Sequence, residues 1–164
     1  MDVAKIYQYA LQREYEGRDF FRNNAGRFHH GAAVQVFQEL AAEEEKHIQF
    51  IQSLIDGLGA GSDPALDLGA AMERAGFFSA RADSEALDQT VIEAMVPDLP
   101  VLRMAYLIER DFAEFYDMSA ERVDDPAASK SLHMLAKWEH QHEKLFKKMH
   151  DRAFEEYANM PWGG

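Results

Sequence analysis

The sequence predicts an all-α protein, a four-helix bundle made of two antiparallel hairpins joined by one long crossover that carries a short extra helix. Three observations predict it. Four segments place their apolar residues at alternating steps of three and four, the seam of a helix packed lengthwise on its neighbours. Two of the three connections are short and one is long, and no segment alternates convincingly as a strand does.

Each segment shows its seam directly. The first carries Val3, Tyr7, Ala10, Glu14, Gly17 and Phe21, and the second Phe37, Leu40, Glu44, His47, Ile51, Leu54 and Leu58. The third carries Leu102, Ala105, Glu109, Phe112, Tyr116 and Val123, and the fourth Leu132, Leu135, Glu139, His142, Phe146, Met149 and Ala153. Gly26 and Gly31 bracket the first connection, and Gly57, Gly59 and Gly61 close the second helix. Asp98 and Pro100 suit the start of the third helix, and Asp125 with Pro126 reads as an N-cap followed by proline at the first helical position. The stretch from about 59 to 97 is long enough to cross the bundle, because a helix of about 25 residues measures about 38 Å. Within it, Ser84 to Met95 reads as the short extra helix. The bundle is expected over residues 1–158, with 159–164 as a loosely held tail.

Composition narrows the function classes. The chain has 164 residues, close to one ordinary domain, and 47% of them are hydrophobic, enough for a sizeable core. A net charge of -12 argues against non-specific binding to nucleic acid or to an anionic membrane surface. With no cysteine, disulfides, zinc–thiolate sites, iron–sulfur clusters and thiol catalysis are all excluded. The N-terminus lacks the pattern of a signal peptide, and no apolar run has spanning length, so a cytoplasmic protein is expected.

The seams contain a contradiction that carries chemistry. Each should be apolar, yet each has a Glu near its middle, and two carry Glu-x-x-His, at Glu44–His47 and Glu139–His142. Residues three apart share a helix face, so both pairs point into one layer. Four buried carboxylates would repel one another and force some to stay protonated. Two divalent cations resolve this, because four carboxylates balance four positive charges and two neutral imidazoles complete the coordination. Two lone Glu with two Glu-x-x-His is the ligand set of two-metal carboxylate sites in helical bundles.

A single Glu-x-x-His is weak evidence; the spacing is stronger. Glu14 to Glu44 and Glu109 to Glu139 both span 30 residues, and Glu14 to His47 and Glu109 to His142 both span 33. A shift of 95 superimposes all six residues, and it also aligns Ala10 with Ala105, Phe20 with Phe115, Arg27 with Arg122, Ala41 with Ala136 and Asp56 with Asp151. The pattern reads as a duplicated helical hairpin. Hard carboxylate ligands with imidazole suit iron or manganese, and zinc is accepted as well.

These stretches resemble the ferritin-like superfamily and, within it, the rubrerythrin-like proteins. The resemblance covers nearly the whole chain, and the matching stretches, one in each long helix, are ALQREYEGRDFF, LAAEEEKH, AYLIERDFAEFY and LAKWEHQH. The resemblance implies that Glu44 and Glu139 bridge two metals, with Glu14 and His47 capping one and Glu109 and His142 the other. It implies two iron ions and a non-haem diiron oxidoreductase acting on hydrogen peroxide or dioxygen, by peroxide reduction or iron oxidation. The alternative is a non-catalytic zinc- or iron-binding bundle with a structural, storage or adaptor role. Two features depart from the family. No cysteine-ligated rubredoxin domain is present, so a separate electron donor is expected. The extra Glu that rubrerythrins carry three residues after the lone Glu of the third helix is Phe112 here. A homodimer is also expected.

The remaining polar residues have plainer readings. Glu43 and Glu45 are expected on the surface, and surface pairing is preferred for Glu16 and Glu114. His29, His30, His133, His140 and His150 fall off the layer, so a second metal site there is the minor reading. Tyr7, Phe21, Tyr106 and Tyr116 are read as core packing, with a tyrosine bonded to a ligand as the lesser option. Trp162 in the tail could dock on a partner subunit.

Overall fold

The computed structural model describes residues 2–58, 64–84 and 88–161. Four long helices carry the bundle: α1 (Val3–Ala25), α2 (Gly31–Asp56), α6 (Leu99–Ala120) and α7 (Pro126–Asn159). Between the hairpins lie α3 (Pro64–Ala75), α4 (Phe78–Ser84), α5 (Gln89–Met95) and a 3₁₀ turn, Val96–Asp98. No strand occurs among the described residues.

Local chemistry sets the ends. Asp2 accepts from the Lys5 N–H at 3.3 Å, and Asp125 accepts from the Ala127 and Ala128 N–H groups at 2.8 and 3.3 Å. At α2 the cap is His30, whose Nδ1 accepts from the Ala32 N–H at 3.3 Å. Gly57 closes α2 as expected, whereas Gly59 and Gly61 lie outside the described residues, as does Trp162. The α7 helix continues through Asn159, one residue past the expected end of the bundle, and α6 stops at Ala120, which leaves Val123 in the connection.

The crossover differs from the single short helix expected over Ser84 to Met95. Ser84 ends α4, and α5 starts afresh at Gln89 because the Asp88 side chain accepts from the Thr90 N–H at 2.8 Å. Two further helices, α3 and α4, were not anticipated. Gly76 separates them at φ +80°, a conformation that suits glycine and few other residues. The three crossover helices pack on α2 and α7.

This placement changes what α2 and α7 bury. Both have a second inward seam, Val36–Leu40–Glu43–His47–Phe50–Leu54 on α2 and Ser131–Leu135–Trp138–His142–Leu145–Met149 on α7, and every one of these residues is buried. The contact is tightest at Gly69 of α3. A Cβ there would lie 2.7 Å from Met134 Cε and 2.8 Å from Phe50 Cε2. Gly69→Leu is therefore expected to cost about 1–3 kcal/mol of stability by overpacking, read from urea unfolding. An unchanged midpoint would show that α3 does not sit on this face.

Two apolar clusters fill the bundle. One contains Phe21, Phe37, Leu40, Leu102, Phe146 and Met149, and the other Tyr7, Ile51, Phe112, Tyr116, Leu132 and Leu135. Along α1 and α7 the chain runs from the second cluster to the first, and along α2 and α6 from the first to the second. Each hairpin is thus antiparallel, and all four seams pass through the same layer between the clusters. Among the described residues no helix is long and apolar enough to cross a membrane.

Candidate metal centre

That layer holds Glu14, Glu44, His47, Glu109, Glu139 and His142, each 0% exposed. Helix geometry brings them together. Each Glu-x-x-His pair lies on one face of its helix, and the bundle turns both faces and the two lone Glu inward. His47 Nδ1 lies 2.8 Å from Glu139, 3.2 Å from Glu14 and 3.6 Å from Glu44. His142 Nδ1 lies 2.9 Å from Glu44, 3.4 Å from Glu139 and 3.6 Å from Glu109. Glu44 and Glu139 therefore approach both histidines, whereas Glu14 approaches only His47 and Glu109 only His142 among these contacts. The two rings face each other with centroids 5.2 Å apart.

The donor atoms are short of partners. Both oxygens of Glu44, Glu109 and Glu139, together with His142 Nδ1, are buried without a hydrogen bond of acceptable geometry. Buried polar atoms are normally satisfied, so such a concentration needs an explanation. One atom from each of Glu44, His47, Glu139 and His142 lies within 4.8 Å of the others, a group able to hold a metal ion. The donor set, carboxylates with imidazole and no sulfur, fits iron or manganese.

Electrostatics describe the metal-free layer. Burial, with the charges of Glu139 and Glu44 added, raises the Glu14 carboxyl well above its ordinary value. Burial and Glu44 do the same for Glu109. Burial also works against ionised Glu44 and Glu139, but the neighbouring imidazoles outweigh it and both lie below the ordinary value. His47 and His142 are desolvated, yet the surrounding carboxylates hold both well above theirs. These directions favour protons on Glu14, Glu109 and both imidazoles and ionised carboxylates at Glu44 and Glu139, the combination that would leave the six groups neutral together.

Four residues surround the layer, of which the sequence reading misplaced Glu43, missed Trp138 and Phe77, and read Tyr116 in part. Glu43 is not on the surface. It is buried, accepts from the Phe78 N–H, accepts from the Ser79 N–H at 3.2 Å, and receives His142 Nε2 at 3.0 Å. Helix α4 creates the pocket that draws it inward, and the second seam of α2 was the signal that could have found it. Tyr116 packs in the core as expected and also donates its hydroxyl to Glu14 Oε1, the lesser of the two readings. Trp138 stacks on His47 with centroids 5.2 Å apart and donates its N–H to Glu73 at 3.2 Å. Phe77 closes the same side, 5.9 Å from the His47 ring.

The third-helix departure has a physical account. The Phe112 ring occupies the space beside Gly17, where a Cβ would lie 3.1 Å from Phe112 Cε2. The Arg13 guanidinium covers the ring at 5.1 Å. The sequence position at which the resemblance leads one to expect a further carboxylate thus holds an apolar side chain packed between Gly17 and Arg13.

The remaining residues follow the plain readings, with Glu45 pairing with Arg18 at 3.2 Å and Arg22 at 3.4 Å. Glu16 pairs with Arg13 at 2.9 Å, and Glu114 is exposed. His140 contacts Asp117 and Glu143, His133 faces Asp117, and His150 sits beside Asp151. None of these histidines joins the buried cluster.

Residues 5–150 match the family model described as Rubrerythrin. Searches of curated proteins and of solved structures gave no significant match. The match spans most of the 164 residues and every residue of the buried layer, and with the all-helical bundle it shows that the chain belongs to the rubrerythrin family, of the ferritin-like superfamily.

Proposed function

We propose that this protein is a non-haem diiron oxidoreductase acting on hydrogen peroxide or dioxygen, in the manner of peroxide reduction or iron oxidation. The observation that carries the reading is the buried layer of four carboxylates and two imidazoles, in which both oxygens of Glu44, Glu109 and Glu139 and Nδ1 of His142 lack hydrogen-bond partners. Glu44 and Glu139 would be shared between two ions. Glu14 and His47 would complete one position, and Glu109 and His142 the other. Two iron ions held there would be able to supply two electrons to dioxygen or peroxide. The protein's own part is to hold the ligands in a dry, apolar enclosure and to keep the filled layer neutral. Tyr116 fixes the orientation of Glu14, and Glu43 that of His142. With no cysteine in the chain, electrons would come from a separate donor protein. A homodimer in the cytoplasm is the setting we expect.

A second reading is favoured by the complete enclosure of all six side chains, each 0% exposed. Such a site could hold zinc or iron without turnover, as a structural, storage or adaptor module. One experiment separates the two. Protein expressed with iron available is expected to carry two iron ions, and the reduced protein to change its absorbance within a stopped-flow mixing experiment when peroxide is added. Absence of both iron and an oxidised species would leave only the non-catalytic reading.

A further inference from the structure

The two halves of the chain superimpose with a shift of 95 residues, yet the residues around the ligands do not match across that shift. Glu43 corresponds to Trp138, and Phe21 corresponds to Tyr116. Both mismatches fall next to the metal-facing groups. We infer that the two metal positions are unequal, and that Glu43 makes the position of Glu109 and His142 the tighter one, filled first. This rests on the two-metal reading above.

The two imidazoles are held differently. Both rings turn Nδ1 towards the carboxylates of the layer and Nε2 away from them. His142 donates its outward Nε2–H to the Glu43 carboxylate at 3.0 Å. Once a metal displaces the other proton, that bond would keep Nε2 protonated and Nδ1 free to ligate, fix the ring plane and raise the basicity of the ligating nitrogen. The Glu43 carboxylate is itself tied down by the Phe78 and Ser79 N–H groups, so it does not need to reorganise.

His47 has no such support. Its outward Nε2 is buried with no hydrogen-bond partner among the described residues. Where symmetry would put a carboxylate, the Trp138 indole lies against the ring, and Phe77 stands edge-on to it. A buried N–H without an acceptor is costly, and nothing else holds the ligating tautomer. The carboxylate ligands are biased in the same sense. Tyr116 donates to Glu14 and draws charge from that ligand. Phe21, which corresponds to Tyr116 in the repeat, has no hydroxyl to offer Glu109, both of whose oxygens lack a hydrogen bond. Each difference lowers the donor strength of the Glu14–His47 position relative to Glu109–His142.

Anaerobic titration of the metal-free protein with ferrous ion, followed by calorimetry, tests the inference. Two ions are expected to bind with constants at least about tenfold apart, since outer partners of ligating histidines typically change affinity 10–100-fold. Glu43→Gln keeps an oxygen for the Phe78 and Ser79 N–H groups but removes the charge. It should weaken the tighter constant about 10–100-fold and leave the weaker one nearly unchanged. Two equal constants in the unaltered protein would overturn the inference while leaving two-metal binding intact. Equal weakening of both constants by Glu43→Gln would overturn it too, because that is what a residue merely anchoring α4 would do. Fewer than two ions bound would overturn the two-metal reading and this inference with it. The titration of the unaltered protein decides between equal and unequal positions even if the variant fails to fold.

Discussion

Replacing Glu44 and Glu139 together with Ala is expected to abolish the binding of two ions per chain. These two carboxylates approach both histidines, from 2.8 to 3.6 Å, so on the proposed two-metal reading each would contribute to both positions. Their removal leaves one Glu and one His on either side, too few donors to hold a buried divalent ion. The loss at each position should exceed the 10–100-fold typical of outer-sphere changes. The measurement is metal content after dialysis against a weak chelator, with circular dichroism to show that the helices persist. Retention of two ions at undiminished affinity would remove the site from consideration. Single replacements should also weaken both ions, whereas Glu14→Ala should mainly affect one. That contrast tests sharing, as distinct from mere proximity.

Metal binding is expected to strengthen steeply with pH and to release protons. Without metal, burial and the neighbouring carboxylates push Glu14 and Glu109 towards the protonated form, and the surrounding carboxylates push His47 and His142 towards imidazolium. Ligation needs all four deprotonated, so two ions are expected to displace protons from these carboxyls and imidazoles, up to four in all. The combined binding constant should then rise by up to about four decades per pH unit while those protons are bound. The sign for the metal-free protein is opposite. All four groups have folded values above their ordinary values of 4.5 and 6.5. Their stabilisation is complete below those values and fades as pH rises through the elevated ones. Glu44 and Glu139, held low, add stability that is lost only towards acid. The gap in melting temperature between loaded and metal-free protein should therefore widen from about pH 6 to pH 8. Proton release can be counted by titrating in buffers of different ionisation enthalpy. Release near zero would mean that the six groups are already in their ligating charge states before metal arrives, which would rule out the protonated, neutral form of the metal-free layer.

The helical seams were legible because they depend only on helix geometry. Three and four residues make nearly one turn, so Glu44 with His47 and Glu139 with His142 had to share a face. The 95-residue repeat then required all six residues to meet in one layer. The caps at Asp125 and Gly57 were legible for the same local reason. Glu43 was not. It follows Ala42 and precedes Glu44 and Glu45, and a run of acidic residues ordinarily means a solvated face. Its burial depends on Phe78 and Ser79, 35 and 36 residues away, which offer two backbone N–H groups. Tyr116 and Glu14 are 102 positions apart, and no local rule pairs them. Trp138 could be read as one more aromatic near a seam, and its stacking on His47 emerges only when α2 and α7 are packed together.

The sequence by itself determined the all-α bundle, the antiparallel hairpins and the position of the polar layer within them. Those follow from periodicity, short connections and internal repetition, which are properties of the chain taken locally or compared with itself. Only the tertiary structure decided what surrounds the layer. The crossover helices cover α2 and α7, give each a second buried seam, turn Glu43 onto His142 and leave Trp138 against His47. The physical reason is that burial belongs to the assembled packing. A carboxylate becomes internal when another segment brings the donors that offset its desolvation, and that segment can lie anywhere in the chain.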